Sequence, residues 1–534
     1  MDENRVSDEM SIVDELALYL RTHQLLDDDG ERVADEEVST ISREVGQLYE
    51  KLRFAIDNKE EQFFRRHAIR RALRRKSIFM TDPDRMFDTL MLDLVRGGYL
   101  EGTGVSDARR TRALAAIRAF LRISQLLRDR YELALVLRYR KFLLDIVAGA
   151  LEDALYDTTK EEGIAMVMAR IGEGVVRGEA LDALAPTERR TLFYVASWRS
   201  LFSGDTSLLR YKLWLLHAPH WDQEEAETLE LLASELPSTI RGIERTIERP
   251  LGRRILPKLH DTGIACTLLY DAVCEYGTGI NTVLKNTELL SARVRTYIET
   301  RYRDDLSRAR RRSVRAIIYI FVTKSLLAVG VETAYVMLLK HALNYVAIAI
   351  NVVTHPVLLF LLVGGLNKPS PKNTERAVEM VRKIVAGTPL PLVMLPKERQ
   401  GILTDIALGV YVAMFFASMY GLVLLLLWLG FNLADIVLFI LFLLLVLYFG
   451  FRIRMGAYRM RFTDTKESFV RGGVELLLLP LVSLGRYMSM KFENINIAAI
   501  ALDFIIEAPL RLVLRFFDAF SSYVSEKREE IYSP

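Results

Sequence analysis

Between residues 10 and 300 the apolar positions recur every three or four residues, as in Leu114, Ile117, Leu121 and Leu126, and again in Leu133, Leu137, Phe142 and Ile146. That spacing is the stripe of an amphipathic helix, and strand-like alternation is scarce. Breakers fall at Asp82-Pro83, Gly97-Gly98, Pro186, Gly204, Pro219, Pro237 and Pro250. They divide the region into many short helices. The pattern predicts a helical cytosolic domain over 1–312, with a subdomain division near 160–187 as an option. The Arg-rich stretch 301–315 reads as the hinge out of it.

Beyond 315 the periodicity gives way to continuous apolar runs. Four reach the length that crosses about 30 Å of hydrocarbon: 316–339, 345–366, 402–429 and 433–450. They predict a membrane domain over 313–451. Charge supports the same topology independently. Residues 301–315 hold seven arginines against two aspartates, 367–401 seven basic and three acidic residues, and 451–475 six and three. The loops between those segments carry little charge. Basic segments alternating with sparse ones predict an even number of crossings, with both termini in the cytoplasm. From 452 to 534 the chain reads as an amphipathic, interfacial helical region. Asp503, Glu507, Arg511 and Arg515 form one polar stripe opposite Phe504, Ile505, Leu512, Phe516 and Phe520. A fifth span is the alternative there. The fold class expected is therefore all-α.

Composition narrows the class. Of 534 residues, 51% are hydrophobic and 26% charged, which excludes a disordered chain, a collagen-like chain and a disulfide scaffold. The net charge of +3 argues for no particular polyanion. The acidic segment 1–37 has no basic region followed by an apolar one, so no signal peptide is expected. Cys266 and Cys274 read as a reduced pair.

Candidate chemistry is sparse. The helix 60–76 carries Arg65, Arg66, Arg70, Arg71, Arg74 and Arg75, which with Arg310, Arg311 and Arg312 are candidates for binding anionic lipid or a protein partner. The bland alternative is a solvated helix paired with the acidic N-terminal segment. No RNA- or DNA-binding pattern accompanies it, so nucleic acid is not expected. Lys324 and Glu332 lie eight residues apart, roughly 80° around a helix, and could line one face of the first span. His355-Pro356 interrupts the second span and frees the Val352 carbonyl. Ionisable groups at membrane depth are costly and mark either a polar path or a packed lock. Asp405 and Asp435 read as helix-terminal. Trp198, Trp214, His217, His220 and Trp221 read as packing rather than a pocket. No nucleotide, metalloprotease, hydrolase or calcium motif occurs, and no metal site or cofactor is expected.

Several stretches together carry a family resemblance: LYEKLRFAIDNKEEQFFRRHAIRRALRRK (48–76), RRRSVRAIIYIFVTKSLLAVGVETAY (310–335), HPVLLFLLVGGL (355–366), NTERAVEMVRKIV (373–385) and LDFIIEAPLRLVLRFFDAF (502–520). They resemble an uncharacterised polytopic membrane protein family of small-genome candidate-phyla bacteria. The resemblance implies a bacterial inner-membrane setting and transfers no catalytic residue. Two functions compete. One is a membrane-anchored helical scaffold with lipid and protein partners. The other is a transporter, channel or lipid-moving protein using the polar residues of spans one and two, with a homo-oligomer as one way to enclose a path.

Overall fold

The computed structural model describes residues 16, 18–20, 61–100, 105–156, 158–222, 225–327, 345–396 and 402–462. Among them the chain is helical almost throughout, with one two-stranded pairing. It divides into two compact units. The described part of the first comprises residues up to 285 together with 384–395. That of the second comprises the described residues of 286–383 together with Pro396 and 402–462.

The first unit is built from α1 (Glu61–Phe79), α2 (Pro83–Arg96), α3 (Asp107–Arg130), α4 (Leu133–Leu155), α5 (Thr159–Val175), β1 (Val176–Arg177), α6 (Pro186–Phe202), α7 (Thr206–His217), α8 (Ala226–Glu248) and α9 (His260–Tyr276), with short helical turns between some of them. Local rules explain the boundaries. Asp82 caps α2 by accepting from the Asp84 amide, Pro83 supplies the first turn, and Met86, Phe87, Leu90, Met91 and Leu94 form its buried stripe. α4 is the hub, packed against α1, α3 and α7. At Gly149 the Tyr211 ring lies so close to α4 that an added Cβ would sit 2.3 Å from Tyr211 Cγ. α6 ends at Ser203, whose φ of +50° makes it the one non-glycine residue with positive φ among the described residues. This tight turn delivers Asp205 to the start of α7, where it accepts from the Leu208 amide at 2.9 Å.

The second unit is built from α10 (Thr287–Leu327), α11 (Tyr345–Gly364), α12 (Pro371–Val385), α13 (Ile402–Trp428) and α14 (Leu433–Ala457). α10 runs without a break through 301–315, the stretch expected to be a hinge. The reason is compositional, since no Gly or Pro interrupts 287–327 and arginine and alanine are good helix formers. α10, α11 and α14 pack on one another around Ile320, Leu359, Val363, Phe442 and Val446, and α13 packs against α14.

Among the described residues, two helical stretches are long and apolar enough to cross a membrane: Gly409–Trp428, 20 residues, and Asp435–Ala457, 23 residues. They correspond to the third and fourth expected spans. The expectation of four is thereby reduced among the described residues. The first expected span is described only to Leu327, and 328–339 lies outside the described residues. The second forms α11, whose described apolar stretch Ala349–Gly364 is shorter than spanning length. Gly409–Trp428 buries almost none of its side chains, leaving Phe416, Tyr420 and Trp428 exposed. The amphipathic segment 495–524 lies outside the described residues.

After α12 the chain joins the first unit. Val393 and Met394, as β2, pair in parallel with Val176 and Arg177 of β1, and the Leu395 amide donates to the Arg177 carbonyl at 2.8 Å.

Candidate functional site

The structure brings Lys324 and His355 into contact. α10 carries Lys324 into the bundle, α11 carries His355, and both side chains are 0% exposed. Lys324 Nζ lies 2.5 Å from His355 Nδ1. The other ring nitrogen, Nε2, lies 3.0 Å from the Phe439 carbonyl oxygen of α14. A carbonyl only accepts, so Nε2 carries the proton and donates, and Nδ1 accepts from the lysine. The ammonium faces aromatic rings, 5.1 Å from the centroid of Phe439 and 5.2 Å from that of Phe442. Among the described residues no carboxylate pairs with it.

One turn earlier on α11 sits Asn351, also 0% exposed, with neither its amide nitrogen nor its amide oxygen hydrogen-bonded. Residues four apart share a helix face, so Asn351 and His355 lie on the same side of α11. Pro356 has no N–H to return to the Val352 carbonyl, which adds another polar group to the same turns. The centre thus combines one lysine amine, one imidazole and one unsatisfied amide, sealed by aromatic side chains. Such an arrangement can hold a fixed positive charge or relay a proton between lysine and imidazole.

Of the three intramembrane residues expected, Lys324 and His355 are therefore joined, while Glu332 lies outside the described residues. Asp435 is helix-terminal, accepting from the Asn432 amide in a capping box. The side chain of Asp405 lies outside the described residues. Asn351 was missed. Its signal was available, since it is the only amide in an otherwise apolar stretch and stands four residues before a histidine.

Several arginines of the basic helix are engaged within the first unit. Arg66 is buried, with Nε 2.5 Å from Glu152 and Nη1 3.0 Å from Asp205. Arg70 reaches Asp145 at 2.7 Å, Arg75 reaches Asp93 at 3.7 Å, and the Arg65 guanidinium lies over the Tyr156 ring. Arg71 is half-buried, and Arg74 alone of the six is exposed. The pattern of cations around α1 looked solvated because its partners, Asp145, Glu152 and Asp205, lie far away in sequence. Burial works against the Arg66 charge, but Glu152 and Asp205 outweigh it and raise its pKa. Burial alone would also raise the Asp205 carboxyl. The hydrogen bond with His67, the Arg66 charge and the Leu208 amide together overcome this and hold it at about 2.

A second buried knot lies beside the first. Lys212, 3% exposed, reaches Glu162 at 2.8 Å and Asp153 at 3.2 Å. Tyr211 donates to Asp153 and Tyr194 donates to Glu162. Burial opposes the ammonium, yet the two carboxylates raise its pKa well above the usual lysine range. These ionic groups are consumed in holding α1, α4, α5, α6 and α7 together. Trp198, Trp214 and Trp221 are core residues packed in edge-to-face aromatic chains, while His217 and His220 are exposed. Both cysteines are free. Burial pushes the Cys266 thiol up to about 12, which removes thiolate reactivity at neutral pH. Among the described residues no group of three His, Cys, Asp or Glu side chains is placed to hold a metal ion.

Arg310 and Arg311 are exposed on α10 and line an open groove of about 930 Å³ with Arg303 and Lys368, and Arg312 is exposed beside them. The sequence matches no protein-family model, no curated protein and no solved structure, so the family resemblance gains no support from these comparisons.

Proposed function

We propose that this is a multi-pass protein of a bacterial plasma membrane, acting as a membrane-anchored scaffold whose helical cytoplasmic unit recruits protein partners rather than catalysing a reaction. The observation that carries it is the β1–β2 pairing. Residues 384–395 lie between the second and third expected spans, yet they fold as part of the first unit. A segment that completes a water-facing unit must lie on the same side of the membrane as that unit. This supports an even number of crossings between 313 and 367, in agreement with the positive-inside pattern. The apolar, outward-facing side chains of Gly409–Trp428 support membrane embedding. The internal use of charge in the first unit supports a structural rather than catalytic role.

A second function, ion or proton movement, is favoured by Lys324, His355 and the unsatisfied Asn351. Reconstitution into liposomes separates the two. Under the scaffold proposal, the wild-type chain passes protons and small anions no faster than empty vesicles do, and Lys324→Leu with His355→Leu still assembles. Flux above the empty-vesicle level that the double substitution abolishes overturns the scaffold in favour of transport.

A further inference from the structure

Leu133 and Leu137 open the apolar stripe that Phe142 and Ile146 continue along α4, yet the two halves of the stripe have different surroundings. Phe142 and Ile146 are buried, whereas Leu133 is 73% exposed, Leu137 56% and Leu135 39%. Leu133 is the most exposed of the large apolar side chains described in the first unit. Met166, Leu216 and Leu231 are exposed too, but each stands alone in the sequence, which is ordinary for a protein surface. Three exposed leucines within five residues make a patch that packing in the first unit does not use.

The patch has a definite shape and charge. α3 and α4 pack on each other and are joined by Tyr131 and Glu132 alone, so the leucines stand at the convex tip of a helical hairpin. At 100° per residue, Leu133, Leu137, Lys141, Ala134 and Arg138 fall within roughly 140° of one another around α4, and all five are exposed. Residues 128–141 hold five basic and two acidic residues, a net charge of +3. Arg140 is engaged, donating to the carbonyl and hydroxyl oxygens of Ser77. Arg128, Arg130, Arg138 and Lys141 are exposed around the leucines, and none of the four enters an ion pair among the described residues.

We infer that the tip of the α3–α4 hairpin docks on an anionic bilayer surface, with Leu133 and Leu137 entering the lipid interface and the basic residues around them meeting the headgroups. Apolar side chains inside a basic collar match that surface on both counts: leucine gains from the acyl boundary, and each nearby Lys or Arg is drawn to anionic headgroups. The convex shape favours a yielding lipid surface over a rigid protein face. A second copy of the same tip would set +3 against +3, which like-charge repulsion opposes. The inference rests on the membrane setting proposed above, which supplies the bilayer. It places lipid contact away from α1, whose Arg66 and Arg70 are engaged inside the first unit.

The test uses the full chain reconstituted into liposomes of phosphatidylglycerol with phosphatidylcholine, or of phosphatidylcholine alone, each containing a nitroxide-labelled lipid. Cys266 is buried, so Cys274→Ser with Ala134→Cys leaves one accessible thiol, at the tip, for an environment-sensitive fluorophore. In the anionic liposomes this probe should be quenched by the nitroxide lipid and shielded from aqueous acrylamide, and in phosphatidylcholine alone both effects should weaken. Each of Arg128, Arg130, Arg138 and Lys141 replaced by glutamine should lower the docked-to-free ratio about fivefold. Leu133→Ser with Leu137→Ser should lower it on the order of tenfold. Arg138→Gln alone changes one exposed side chain and gives a reading if a combined variant does not fold. A probe that stays open to acrylamide in anionic liposomes overturns the inference and leaves the leucines to a protein partner. Quenching that ignores the leucine substitutions, or that is equal for a probe at Ser234→Cys on the exposed side of α8, also overturns it. Carbonate extraction of the same liposomes reads insertion separately. A chain that washes off fails the membrane proposal, whereas an inserted chain with an undocked tip fails this inference alone.

Discussion

Lys212 and Lys324 are both buried lysines, and the molecule treats them in opposite ways. Around Lys212 in the first unit stand Asp153 and Glu162, with two tyrosines donating to the same carboxylates. Around Lys324 in the second unit stand one imidazole and two phenylalanine rings. A buried charge in a water-soluble core is normally tolerated when paired, because removing either partner leaves the other uncompensated. Among the described residues, Lys324 has aromatic faces and an imidazole in place of an anion. The first lysine is cement. The second is a buried amine with no carboxylate beside it among the described residues.

The comparison can be broken most sharply at Lys212. Replacing it by methionine strands Asp153 and Glu162, and denaturation of the full chain in detergent should show a loss of about 3–5 kcal/mol. A loss below about 1 kcal/mol would mean that the knot is wet and that the contrast with Lys324 is false. Asp205 sharpens the same point through pH. Its carboxyl titrates at about 2 instead of the ordinary 3.8, so the folded state favours its ionised form. That contribution, about 2 kcal/mol, is fully present above pH 4 and disappears as pH falls toward 2. In Asp205→Asn the acid-induced loss of stability over that window should be smaller by this amount. At Lys324 the sign reverses. Lys324→Met removes a buried amine that has no carboxylate partner among the described residues, and the melting temperature should hold or rise, by on the order of 1 kcal/mol of stability. A fall comparable to that of Lys212→Met would assign Lys324 a hidden counter-charge. The smallest effect belongs to Arg74→Gln, exposed on the helix whose Arg66 is buried, which should change stability by less than about 0.5 kcal/mol.

How far the sequence revealed these features depends on how local each one is. Helicity was legible because the apolar stripe of Leu133, Leu137, Phe142 and Ile146 is written within a few turns. The ionic core was not. Arg66 and Glu152 meet across α1 and α4, and no periodicity in either helix names the other. A hint existed, since Asp145, Glu152 and Asp153 interrupt a strongly apolar helix, as Lys212 does between Leu208 and Leu213. Charges in such positions are there because something meets them. Lys324 and His355 were each legible as polar intrusions, but their contact depends on how α10 packs on α11. The strand pair was invisible, because two residues carry no alternation to read.

The β1–β2 pairing has a consequence for how the molecule is made. Val176 and Arg177 leave the ribosome long before Val393 and Met394. At about 5–20 residues per second, the first strand waits on the order of ten seconds or more for its partner. During that interval the edge of β1 is open and the unit it belongs to is incomplete. Closure must follow synthesis of α10, α11 and α12. Under the proposed topology it must also follow insertion of the first pair of spans. The first unit would then be a checkpoint on membrane insertion, acquiring its last strand only in chains whose 384–395 segment has emerged on the correct side.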